Sequence, residues 1–227
     1  MSTYVSKAPT ESSVLSRTSG RARTVACVAA LLFGAGFFLT VASVNVPHDA
    51  SDAKLLDWWQ DSGKLNSGLA SEFFAIMTAV LFVVLINYVR TVLEPAAMPQ
   101  WTAFASSMAS AFTVLLLVSA ALRGVIGHMV QLQDEPLPGI DVLRYSTGLN
   151  YTLIGTATMA AFALATLAVS VVIVRSSVLA RWAGYVGLGT SLVTLAAVGV
   201  GFGAFTIPLA ILWAVCMSVA LWRQPTA

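Results

Sequence analysis

The chain has 227 residues, of which 58% are hydrophobic and only 10% charged, with a formal net charge of +2. Soluble domains carry roughly 25% charged residues, so this composition excludes an ordinary soluble fold, and so small a net charge offers no electrostatic footprint for nucleic acid. It reads as an all-α polytopic membrane protein, one bundle of six transmembrane helices. The two cysteines, Cys27 and Cys216, both fall inside apolar runs. There they serve as packing residues and give no disulfide framework.

Residues 1–20 are rich in Ser and Thr and show no sustained period, which predicts a flexible cytoplasmic tail ahead of a membrane domain over 21–227. Arg21 and Arg23 precede the first span, at about 24–46. That run is long enough to cross the roughly 30 Å hydrocarbon core at about 1.5 Å per residue. It exceeds the ~7–15 apolar residues of a secretory signal and no small-x-small site follows, so the segment is expected to stay in the mature chain.

The polar stretch 47–72 then interrupts the apolar pattern and carries His48, Trp58, Trp59 and five of the ten acidic residues. Within it, 51–60 has helical spacing, with Ser51 placed to cap, Asp52 in the first turn, and Leu55, Leu56, Trp58 and Trp59 towards one side. Paired indoles on a short amphipathic helix suit the lipid headgroup layer, because each has an apolar body and one N–H that wants a polar partner.

The second span is predicted at about 68–92 and ends at a connector punctuated by Pro95 and Pro99. The third, about 101–125, leads into a second polar loop, 126–150, with Asp134, Glu135, Pro136, Pro138 and Asp141. No sustained period appears there, although 142–147 suits a turn of helix. The fourth span follows at about 151–174, then a basic turn at 175–181. The fifth and sixth, about 182–200 and 205–222, are joined by so short a Gly-rich link that they form a close antiparallel hairpin.

With six spans both termini share a side. Placing them in the cytoplasm puts Lys7, Arg17, Arg21, Arg23, Arg90, Arg175, Arg181 and Arg223 inside, against Lys54, Lys64, Arg123 and Arg144 outside. The positive-inside rule therefore predicts N-in and C-in across the cytoplasmic membrane, with both long loops outside.

Three groups of residues are candidates for function. His48 and His128 follow the first and third spans at the same outer boundary, where two neutral imidazoles with Asp49 or Glu135 would suit zinc, copper or a haem near the outer face. The plainer reading is a pair of boundary histidines bonded to backbone or water. Glu72 and Arg123 lie at similar depths in the second and third spans, so an ion pair is expected, because an ionisable group in a span is costly alone. That pair is either structural or the polar entrance of a path that Asn87 would continue. In the fifth span Ala180, Gly184, Gly187, Ser191 and Thr194 form a small-residue stripe that lets backbones approach, either within the chain or across a homodimer interface. Trp58 and Trp59 are the other candidate interface, towards lipid, a membrane-protein partner or a second copy.

The order of spans, together with Pro47, Asp49-Ala50-Ser51, Leu56-Asp57-Trp58, the turn from Val178 to Gly184 and the ending from Pro208 to Arg223, resembles a broad group of bacterial six-span membrane proteins of unknown function. The resemblance implies a fold and no catalytic residues.

No lysine lies in a span, which leaves no attachment point for retinal. G-x-x-x-x-G-K-[ST], H-E-x-x-H and G-x-S-x-G are all absent. The leading expectation is therefore a non-enzymatic accessory or interaction protein of the membrane. A small-molecule or ion transporter entered at Glu72 and Arg123, and a metal or haem protein using His48 and His128, stand beside it.

Overall fold

The computed structural model describes residues 11–42, 46, 50–176 and 178–223. Helix α1 spans Glu11–Ala42, α2 Asp52–Gln60, α3 Ser62–Leu93, α4 Pro99–Leu132, α5 Ile140–Thr152, α6 Met159–Ser176, α7 Arg181–Gly199 and α8 Ile207–Trp222. A π-helical segment, Leu153–Thr158, joins α5 to α6 without a break, and short 3-10 turns at Glu94–Ala96 and Gly203–Thr206 lead out of α3 and into α8. Six stretches are long and apolar enough to cross a membrane: Gly20–Ala42, Ser62–Ala96, Pro99–Leu132, Ile140–Ser176, Arg181–Gly199 and Gly203–Trp222. The chain is a multi-pass α-helical membrane protein.

The spans form a closed ring in which α1 packs on α3, α3 on α4, α4 on α6, α6 on α7, α7 on α8, and α8 back on α1. First and last spans are joined by a reciprocal pair of bonds. The Cys27 thiol donates to the Ser218 carbonyl at 3.5 Å and the Ser218 hydroxyl donates to the Cys27 carbonyl at 3.1 Å. Both cysteines are free thiols.

Rings fill the middle. Phe33 and Phe37 from α1, Phe82 from α3, Phe112 from α4, Phe162 from α6 and Trp213 from α8 are all fully buried. Their centroids lie 4.5 Å apart for Phe82 and Phe112, 5.0 Å for Phe33 and Phe82, and 5.6 Å for Phe162 and Trp213. Tilted and edge-on contacts at such distances suit the aromatic quadrupole and leave a dry plug. Outward, Val25, Leu31, Val80, Val114 and Leu192 are exposed, as lipid-facing positions should be.

α7 adds no large ring. Its small-residue stripe lets it lie close to α6 and α8: Gly184 faces Ile173 and Val174, and a side chain at Gly187 would collide with the Ser170 hydroxyl and meet Trp213 Nε1 at 3.1 Å. Ser191 is buried and donates to the Gly187 carbonyl at 2.7 Å. The stripe is thus engaged in packing inside the chain.

Three expected boundaries move. α1 begins at Glu11, so half of the expected tail is helical; the rest of it, residues 1–10, lies outside the described residues. α4 continues to Leu132, and the expected loop 126–150 shrinks to the seven residues between α4 and α5. α3 starts at Ser62, well before the expected 68. One cause underlies the last two changes. At 1.5 Å per residue the 37 residues of Ile140–Ser176 extend about 55 Å, far beyond a hydrocarbon core of roughly 30 Å. α3, α4 and α5 project past the ring at one end, where α2 crosses them and a second, smaller core forms from Leu55, Trp58, Trp59, Leu65, Ile126 and Leu143.

This cap is held by polar contacts around its rim. Arg144 pairs with Asp52 and donates to the Ala50 carbonyl at 3.2 Å, and the Gln131 amide donates to the Ser62 carbonyl at 3.0 Å. Ser51 occupies the N-cap position of α2, but its side chain makes no capping bond. Asp61 does cap α3, accepting from the N–H groups of Gly63 at 2.9 Å and Lys64 at 3.2 Å. The Lys64 N–H bond above all holds its carboxyl below the usual 3.8.

Candidate functional site

Arg123 is the hub of the end of the ring that carries the cap. The Arg123 guanidinium donates through Nη1 to the Thr40 carbonyl of α1 at 2.7 Å. The same Nη1 donates to the Ser71 hydroxyl, which itself donates to the Thr40 carbonyl at 2.6 Å.

Asn150, on α5, completes the arrangement. With its amide oxygen towards the guanidinium it accepts from Arg123 Nε at 3.2 Å, while its nitrogen donates to the Ser119 carbonyl at 3.1 Å. This orientation faces each donor with an acceptor. Arg123 therefore ties α1, α3 and α5 to α4 and is only 8% exposed. Its remaining nitrogen, Nη2, has no hydrogen-bond acceptor among the described residues.

A cavity of about 370 Å³ opens beside the guanidinium. Arg123, Asn150, Thr147 and Ser146 give it a polar side, and Val41, Leu122, Ile154, Phe205 and Ile207 give it apolar walls. Trp59 reaches it from the cap and is 5% exposed, with an indole N–H buried and unpaired among the described residues. The π-helical segment borders the cavity through Ile154. Gly155, within it, sits so close to Gly203 that a side chain on Gly203 would run into the Gly155 carbonyl. π-turns are rare and are often found at functional sites.

The expected pairing of Glu72 with Arg123 does not form. Glu72 Oε2 lies 3.0 Å from His128 Nε2, its carboxylate resting on the bare backbone of Gly124. Neighbouring residues on a helix point about 100° apart, so Gly124 and His128, four apart, share a face that Arg123 does not. Glu72 and His128 are both partly exposed, and Arg123 faces inward.

Asn87 sits on the exposed surface of α3 towards the other end of the ring, in a groove with Arg90, Glu94 and Thr102. The aromatic plug, Phe82 included, lies between it and Arg123. His48 lies outside the described residues. Among the described residues, no group of three or more His, Cys, Asp or Glu side chains gathers to hold a metal.

Trp58 and Trp59 do not present their apolar bodies to a surface. They meet edge-on at 4.9 Å and are buried in the small core of the cap. The cavity was missed by sequence reasoning, although the spacing of Ser119, Arg123, Thr147 and Asn150 carried a signal: four polar residues in two pairs, each one helical turn or nearly so apart.

These features define a membrane-embedded helical bundle with a polar-floored cavity at one end. No family model, curated protein or solved structure matches the chain.

Proposed function

We propose that this is a non-enzymatic binding protein of the cytoplasmic membrane, with both termini inside the cell and the capped end facing out, where the cavity beside Arg123 receives a small amphiphilic molecule. The observation that carries this reading is a buried guanidinium with one donor unused, set at the edge of a cavity whose size falls within the roughly 300–1,000 Å³ of small-molecule sites. Binding is favoured over passage because the six buried rings occupy the middle of the ring, below the cavity.

Leu122 lines the cavity, so Leu122→Trp should fill it. Native mass spectrometry of gently extracted protein is expected to show one small-molecule adduct per chain, absent from the Leu122→Trp variant at unchanged thermal stability. A wild-type spectrum free of any adduct, with added amphiphiles also failing to bind, rules the reading out. The orientation has its own check: a reporter joined after Trp222 should remain inside the cell, and its export would reverse every assignment of sides.

A further inference from the structure

Resting on that binding role, we infer that the ligand is a single-chain carboxylate, an alkyl chain ending in one negative charge that seats on Arg123 Nη2. Three observations converge on this chemistry. The first is charge. A buried cation ordinarily has an anionic partner, because desolvating it alone is expensive. Among the described residues, no carboxylate lies within ion-pair distance of Arg123, and the nearby acids are engaged elsewhere. Glu72 faces His128, Asp52 pairs with Arg144, and Asp61 caps α3 beside Lys64. The α1 carbonyl and the Asn150 oxygen supply only partial charges, so among the described residues the site retains close to one positive charge.

The second is the count of donors. Arg123 Nη1 and Nε are both used by the protein, which leaves Nη2, on a residue that lines the cavity, without an acceptor among the described residues. Hydrogen bonds from a charged donor to a charged acceptor are roughly twice as strong as neutral ones, and one negative charge matches one guanidinium.

The third is the wall. Val41, Leu122, Ile154, Phe205 and Ile207 would desolvate a small hydrophilic anion without repaying it, whereas an alkyl chain gains from each contact.

The test uses the full chain in phosphatidylcholine nanodiscs, with empty discs subtracted, and measures saturable binding of dodecanoate, dodecanol, dodecyl phosphate and inorganic phosphate. Dodecanoate should bind at one site at least about tenfold more tightly than dodecanol, the margin that a charge-assisted hydrogen bond of about 1.5 kcal/mol provides. This comparison needs no variant. Arg123→Gln should abolish the preference for the acid.

Equal binding of acid and alcohol would overturn the anion and leave the binding role intact. Tighter dodecyl phosphate would replace the carboxylate by a phosphate headgroup, and phosphate alone displacing dodecanoate at matched affinity would make the ligand a free oxyanion; both outcomes overturn the inference. No saturable binding by any of the four, with an adduct still present in native mass spectra, would also sink it while sparing the binding role. If the adduct is missing as well, both fall.

Discussion

Followed towards the cap, each of four helical rods changes from ring-bearing to hydrogen-bonding within one to four turns. Phe37 gives way to Thr40 on α1, Phe82 to Ser71 on α3, Phe112 to Ser119 and Arg123 on α4, and Phe162 to Asn150 along the rod of α6 and α5. In the middle the rings pack on one another and satisfy nothing beyond van der Waals contact. At the capped end the same helices are spaced by a network whose last donor, Arg123 Nη2, is left without an acceptor among the described residues beside a cavity. The contrast separates holding from binding. One region makes the bundle rigid and dry, and the other leaves a positive charge half-answered.

Substitutions in the two regions should differ in kind. The largest expected effect is on the plug. Phe82→Ala removes a fully buried ring that touches Phe33, Phe112, Phe162 and Trp213, and should lower stability by about 3–5 kcal/mol, read as unfolding in detergent. A loss below about 1 kcal/mol would mean that the middle is not packed as described.

Arg123→Ala comes next. It strips a donor from the Thr40 carbonyl and one from Asn150, at about 1–3 kcal/mol of stability, but should abolish acid-selective ligand binding completely. Unchanged binding would dissolve the contrast between the regions.

Trp59→Phe is the sharper case. It deletes a buried donor that neither the protein nor a molecule in the cavity reaches, so stability should change by no more than about 1 kcal/mol and the preference for the acid should persist. Loss of that preference would give the indole N–H a part in binding.

Asp61→Asn should show the smallest effect, visible through pH. Because the folded state depresses the Asp61 carboxyl, its contribution is present above the unfolded value and disappears as pH falls through the folded one. Acid unfolding of the wild type below about pH 4 should thus be steeper than in the variant, a difference that equal acid profiles would contradict.

The six spans were legible because a sustained apolar run of membrane length is seldom anything but a transmembrane helix. The cap was not. Its helices mix exposed polar residues with a narrow buried stripe, Leu143 and Thr147 on α5 or Ile126 and the partly buried Val130 on α4, and the second core that covers this stripe exists only once α2 folds across it. A reading based on bilayer thickness stops at the hydrocarbon edge and leaves the remainder as loop. The polar groupings were misread for a related reason. Depth along two helices placed Glu72 level with Arg123, but azimuth decides which side chains meet, and the bare face of Gly124 steers Glu72 to His128. The apolar pattern of α4, with lipid on one side and rings on the other, fixes depth better than rotation.

The wide turn at Leu153–Thr158 sets how the upper part of the long rod is rotated relative to the part below it. Each residue of an α-helix advances about 100° and the wide turn takes up one residue more than an α-turn, so deleting a single residue there, which would tighten the turn to ordinary α geometry, would keep Thr147 and Asn150 on the guanidinium, whereas the same deletion within α5 between Asn150 and the turn would swing them away. The segment thus works as a phase shifter between two helical registers. A spin-label distance between positions 40 and 150 that changed on deleting one residue of the turn would show that the phase is set elsewhere.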